Sequence, residues 1–165
     1  MKTIILMSII CINLFSWDFN YNELTENETK LTNKLIKIGE PHGLGLELAA
    51  IGIVETRLGK FESTNNYICG IHQINTNIAM KRIKSNGNKN KLCNELNTNK
   101  NLSSIFALNE LIYWKKQTNN NIRKMIMSYN SGFEKSNHTE EYFRRFTIVY
   151  KELEKVETIK NFVSI

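Results

Sequence analysis

The chain has 165 residues, 41% of them hydrophobic, and a formal net charge of +6. That length supports one domain with its own core, and the composition excludes a disordered chain and a multi-pass membrane protein. One proline and eight glycines exclude collagen-like and linker-dominated chains and leave room for long helices, while three cysteines are too few for a disulfide-built miniprotein. The 23 asparagines read as a coding bias of the source and carry no functional signal.

Residues 1–16, MKTIILMSIICINLFS, place one lysine before an apolar run that stays uncharged as far as Asp18. Such a run matches a signal-peptide core and is shorter than the roughly 20 residues of a membrane span. Cleavage is expected near Ser16, although a strict A-x-A site is missing, and Ser8-Ile9-Ile10 is a poor lipoprotein context for Cys11. A retained anchor is the alternative, and the one way in which this chain would touch a membrane. On either reading the chain is exported, to a periplasmic or cell-wall location. Loss of the signal removes Lys2, which brings the charge nearer +5, and Cys11, which leaves Cys69 and Cys93. In an oxidising compartment these two are a candidate disulfide, and two buried free thiols are the alternative. The three histidines lack metal-ligand spacing, so no metal or cofactor is expected.

Beyond the signal, residues 17–40 read as an N-terminal helix packed on a domain spanning 41–158, with 159–165 as a tail. Thr25-Glu26-Asn27-Glu28 has the form of a capping box, Leu24, Leu31, Leu35 and Ile38 make a helical stripe, and Gly39 with Pro41 stops it. Leu44 to Leu58 is apolar on nearly every side, as in a helix at the centre of a domain. Gly59 to Gly70 is loop-like, a short helix is predicted over Asn75 to Lys84, and an Asn/Lys-rich stretch of low complexity covers Lys84 to Lys100. Further stripes run from Leu102 to Trp114, from Ile122 to Tyr129 with Ser131-Gly132 as cap, and from Tyr142 to Leu153. Strand-like alternation is scarce. The predicted fold is all-α, with at most a minor β or loop element beside a cleft.

One residue is out of place in the central helix. At about 100° per residue, Leu44, Leu48, Ile51 and Leu58 fall within roughly 60° of Glu55, which puts a carboxyl group on the apolar stripe. Desolvation there favours the neutral form and raises the pKa, as a general acid requires. A salt bridge to Arg57 or Arg144 is the competing reading. The position near the helix end, just before a loop, favours a carboxyl facing a cleft.

Leu48-Ala-Ala-Ile-Gly-Ile-Val-Glu55-Thr56-Arg-Leu-Gly59 resembles the catalytic helix of the lytic transglycosylases of the lysozyme superfamily, where an apolar run precedes Glu-Ser-x-[Phe/Leu]. Gly70-Ile-His72-Gln73-Ile-Asn75 is similar to that family's Gly-Leu-Met-Gln-Ile motif. Met127-Ser-Tyr129-Asn130-Ser-Gly132 is similar to its Ala-Tyr-Asn-Ala-Gly motif, and Tyr142-Phe-Arg-Arg-Phe146 to the Tyr-Val-x-[Lys/Arg]-Val pattern of its closing helix. Leu96 to Leu111, with Asn101-Leu102, resembles the stretch between them. The likeness spans about residues 40 to 150, with the motifs in family order.

The resemblance implies cleavage of the β-1,4 bond between N-acetylmuramoyl and N-acetylglucosaminyl units of peptidoglycan. A single Glu acts there first as acid and then as base on the 6-hydroxyl, leaving a 1,6-anhydro end. It assigns those steps to Glu55 and makes Gln73, Tyr129 and Asn130 substrate-facing, with Thr56, Gly70 and His72 beside them. Read from the residues alone, Tyr129 suits plain core, Asn130 a helix end, Gln73 a helix cap and Gly70 a backbone turn. Thr56 stands where the family usually has Ser, Cys69 where it has an aromatic residue, and His72 where it has Met. Near the cleft His72 would titrate; otherwise it fills the Met's space. Glu47 lies about two turns from Glu55, and Glu62 in the loop is a candidate second carboxylate.

The expected partner is the glycan strand, bound by a monomer. The chain's compactness suits a specialised enzyme that opens the wall for a secretion or conjugation apparatus, or one from a phage. A lysozyme or endolysin hydrolysing the same bond is the nearest rival, and a non-catalytic peptidoglycan-binding protein the next. A nucleic-acid partner is not expected, because no basic patch interleaved with stacking aromatics is present.

Overall fold

The computed structural model describes residues 17–61, 67–133 and 136–163. The expected signal segment and Glu62 lie outside them. Seven α-helices occur among the described residues: α1 (Glu26–Gly39), α2 (Gly45–Thr56), α3 (Thr76–Arg82), α4 (Lys89–Thr98), α5 (Lys100–Gln117), α6 (Ile122–Ser131) and α7 (Asn137–Val163). Two short strands, β1 (Ile68–Cys69) and β2 (Ile74–Asn75), pair antiparallel with Ile68 opposite Asn75 and Cys69 opposite Ile74. The fold is all-α with a minor β element.

The capping box at Thr25 is formed, with the Thr25 hydroxyl accepting from the Glu28 N–H and the Glu28 carboxylate accepting from the Thr25 N–H. Pro41 then sits in a short 3₁₀ turn, Glu40–His42, that redirects the chain into α2. Leu48, Ala49, Ala50 and Ile51 of α2 are fully buried, and the helix packs against α1 on one side and α7 on another. Each large side chain buried there stabilises the fold by roughly 1.5–3 kcal/mol before entropy is counted. The stripe of α7, Tyr142, Phe146, Val149 and Leu153, is buried as its spacing predicts. No helix of the described residues is long and apolar enough to cross a membrane.

Two stretches differ from the reading of the sequence. The Asn/Lys-rich stretch contains α4, capped by Asn88, whose side chain accepts from the Lys91 N–H. Leu92, Cys93 and Leu96 are buried and give this polar helix one narrow apolar edge. At the other end, α7 runs on through Val163, into the segment expected as a tail. Ion pairs one turn apart, Lys155 with Glu152 and Lys160 with Glu157, support that extension, and no Gly or Pro interrupts it.

Candidate active site

The C-terminal end of α2 is a sharp turn. Arg57 and Leu58 both adopt left-handed backbone, with φ of 47° and 61°. Thr56 holds this turn: its hydroxyl donates to the Ile71 carbonyl and accepts from the Gly59 N–H, both at 2.8 Å. With both hydroxyl roles used inside the protein and the residue buried, Thr56 is a clasp between α2 and the β1–β2 turn. The same residue also lines a small second cleft at this turn.

Glu55, one residue earlier, is half-buried. Its Oε1 accepts a 2.8 Å hydrogen bond from the Tyr142 hydroxyl of α7. Burial pushes its pKa up to about 7, against the pull of the Tyr142 bond, which favours the charged form. The salt-bridge alternative does not apply. Arg57 faces Glu28 at 3.6 Å, and Arg144 pairs with Glu141 of its own helix. Glu47 is buried along the same helix and has its own pKa raised by desolvation.

The turn between β1 and β2 carries the second motif. Gly70 has φ of 76°, and a Cβ there would come within 2.4 Å of Ser103 Oγ, so both backbone and space require glycine. Its N–H donates to Asn97 Oδ1 at 2.7 Å. Gln73 is also left-handed, with φ of 51°, and its side-chain amide donates back to the Gly70 carbonyl at 3.0 Å. It closes this turn and does not cap α3; that cap is Asn75, which accepts from the N–H groups of Asn77 and Ile78. Cys69 and Cys93 form a disulfide that ties β1 to α4.

His72 takes the second of its two expected readings, in which it fills the space the family gives to Met, and not that of a group titrating at the cleft. Its side chain is fully buried, with Nε2 3.2 Å from the Leu48 carbonyl and Nδ1 3.5 Å from Ser103 Oγ. Desolvation lowers its pKa to about 4. The imidazole is a core group closed off from the surface of the site. Its backbone does contribute, because the His72 carbonyl accepts the Tyr129 hydroxyl at 2.9 Å.

That bond fixes α6 against the β turn. Tyr129 is half-buried, and its phenol pKa is held well above the usual value by burial first and then by the charges of Glu55 and Glu110. Gln73, Tyr129 and Asn130 all line one groove of about 380 Å³, together with Ile78, Phe106 and Trp114. Plain core, helix end and helix cap therefore fail as full accounts of these three residues.

Sequence reasoning passed over two features. Tyr142 was placed on the apolar stripe of α7, although its motif position already marked it. Arg82 and Glu110 meet in the wall of the groove through a bidentate pair of 3.0 and 2.9 Å, with the guanidinium 3.2 Å above the Tyr113 ring. That pair spans 28 residues, and no local pattern announces it. Among the described residues no cluster of three His, Cys, Asp or Glu side chains could hold a metal ion.

The arrangement is chemically suited to moving one proton at a time. A carboxyl poised near neutral pH stands at a helix end, bonded to the Tyr142 phenol and within electrostatic reach of Tyr129, which lines the groove. In comparison with known proteins, no protein-family model, no curated protein and no solved structure matches the chain.

Proposed function

We propose that this chain is an exported peptidoglycan lytic transglycosylase in which Glu55 serves as both general acid and general base. The observation that carries the reading is the Glu55 carboxyl itself. It is half-buried, its pKa is raised to about 7, and Tyr142 is its hydrogen-bond partner. Burial and the Tyr142 bond set its proton affinity, and no charged side chain among the described residues enters. The motif residues Gln73, Tyr129 and Asn130 share one groove, and Tyr129 is within electrostatic reach of the Glu55 carboxyl, which supports a glycan strand lying there.

The protonated carboxyl donates its hydrogen to the glycosidic oxygen as the C1–O bond breaks, leaving an oxocarbenium-like centre on the muramoyl ring. The carboxylate so formed then takes the proton of the 6-hydroxyl, and the 6-oxygen closes onto C1. Glu55 ends as it began, protonated, and no water is consumed. A pKa near 7 suits both directions of transfer, because neither protonation state is far from the working pH. Tyr142 donates to the carboxylate and steadies it between the two steps.

Mass spectrometry of muropeptides released from isolated sacculi tests this reading. A 1,6-anhydro product is expected, lighter than the hydrolysed one by one water. A hydrolysed product would make the chain a muramidase, and no release at all would reject catalysis.

A further inference from the structure

A second cleft, of about 210 Å³, shares Gln73 with the groove beside Tyr129. Thr56, Gly59, Phe61, Asn97 and Lys100 line it. The two differ in charge. In the first groove Arg82 is neutralised by Glu110. In the second, Lys100 is the one charged side chain on the described walls. Its ammonium donates to the Leu58 carbonyl at 3.0 Å, and it makes no ion pair among the described residues. An ammonium has three N–H donors, so two remain to be directed elsewhere.

The space beneath it is kept open by Gly59. This residue has φ of 92°, and a Cβ there would lie 3.0 Å from Ile71 Cγ2 and 3.5 Å from Lys100 Nζ. Any side chain would be strained and would stand against the ammonium. Phe61, which also lines the cleft, is 61% exposed and offers an apolar face for a sugar ring or a methyl group.

We infer that this cleft binds a carboxylate carried by the glycan, with Lys100 as its cationic anchor. The inference rests on the proposed function for the identity of the polymer. Peptidoglycan offers that carboxylate from two sources, the lactyl group of a peptide-free muramoyl unit and the acidic residues of a stem peptide. Neutral N-acetylglucosamine polymers offer none. A purely structural Lys100, tying the start of α5 to the turn after α2, would hold the fold without discriminating acidic from neutral sugars.

The test is an NMR titration of the purified chain with N-acetylmuramic acid, N-acetylmuramoyl-L-alanyl-D-isoglutamine and N-acetylglucosamine. The acidic sugars are expected to move the Gly59, Gly70 and Lys100 amides and to bind about fivefold tighter than the neutral one, the upper range for a solvent-accessible ion pair. Added salt should erode the preference. Lys100→Met should remove it and Lys100→Arg retain most of it. The stronger of the two acidic probes identifies the source. Equal binding of acidic and neutral sugars by the unmodified chain, or a preference that survives Lys100→Met or high salt, overturns the inference. Binding needs no turnover, so the two readings fail separately. Acid-selective binding without an anhydro product sinks the transglycosylase alone, and an anhydro product without the preference sinks the cleft alone.

Discussion

Tyr142 of the last helix and Glu55 of the central helix are joined by one hydrogen bond of 2.8 Å across 87 residues of chain. The phenol is the donor, so the bond is strongest when the carboxyl is ionised, and it opposes the desolvation that raises the pKa. The effect on the phenol is the reverse: the Tyr142 hydroxyl stays far above its usual pKa, first through burial and then through the charge of Glu55. Tyr142 is therefore neutral at every pH at which Glu55 titrates.

Tyr142→Phe removes a donor that favours the charged form. The Glu55 pKa is then expected to rise above 7, moving the alkaline limb of the pH–activity profile upward. Turnover should fall on the order of tenfold, the usual scale for losing one hydrogen bond to a charged group. A purely structural Tyr142 would lower stability and leave the profile where it is. The measurement is lysis rate against pH for both proteins.

Glu55→Gln should abolish wall lysis in a zymogram and stabilise the fold above neutral pH. The unfolded carboxyl titrates near 4.5 and the folded one near 7, so between those values the folded state binds more protons and stability falls as pH rises. Above pH 7 the ionised group costs about 3 kcal/mol, at 1.36 kcal/mol per unit. The variant should match the parent below pH 4 and exceed it by up to that amount above pH 7. Denaturant unfolding at several pH values checks both ends, and a Gln variant that still clears the gel would overturn the mechanism.

His72 has the opposite slope. Its folded pKa of about 4 lies below the free value of 6.5, so the unfolded state binds the extra proton. Stability from the buried neutral ring is complete above pH 6.5 and is lost as pH falls toward 4, by about 3 kcal/mol. Between pH 4.5 and 6.5 the two slopes nearly cancel in the parent. Removing one exposes the other: Glu55→Gln should gain stability with rising pH in that window, and His72→Met should lose it. Parallel pH–stability curves for the two variants would refute this opposition.

The helical stripes, the capping box and the carboxyl on the wrong face of α2 were legible because each repeats or breaks a pattern within one helix. Glu55 was readable for the same reason, as a single polar residue among Leu48, Ile51 and Leu58. Its partner was not readable. Which of Arg57, Arg144 or Tyr142 meets the carboxyl depends on how α7 is rotated against α2, and periodicity within either helix leaves that open. Of the two readings open for His72, the filling of the Met's space is the one the fold takes, because the chain turns at Gly70 and Gln73 and sends the imidazole inward to Leu48. The helix within the Asn/Lys stretch was hidden by its polar composition, since three buried residues suffice to hold α4 in place.

The disulfide gives a last expectation, because it holds the β turn from outside. Cys69 precedes Gly70, whose N–H is bonded to Asn97 on the same α4 helix that carries Cys93. After reduction the Gly70–Asn97 hydrogen bond still joins that helix to the turn bearing Gln73. Closing a loop with 24 residues of separation contributes about 3 kcal/mol through the unfolded chain. Cys69→Ala with Cys93→Ala should lower the unfolding free energy by about that amount. If the bond also positions the turn, lysis at a temperature where the double variant remains folded should fall as well, through weaker substrate binding at Gln73. Unfolding by denaturant and KM measured on soluble glycan strands separate the two effects: a loss of stability with unchanged KM would mean that the turn holds its shape without the disulfide.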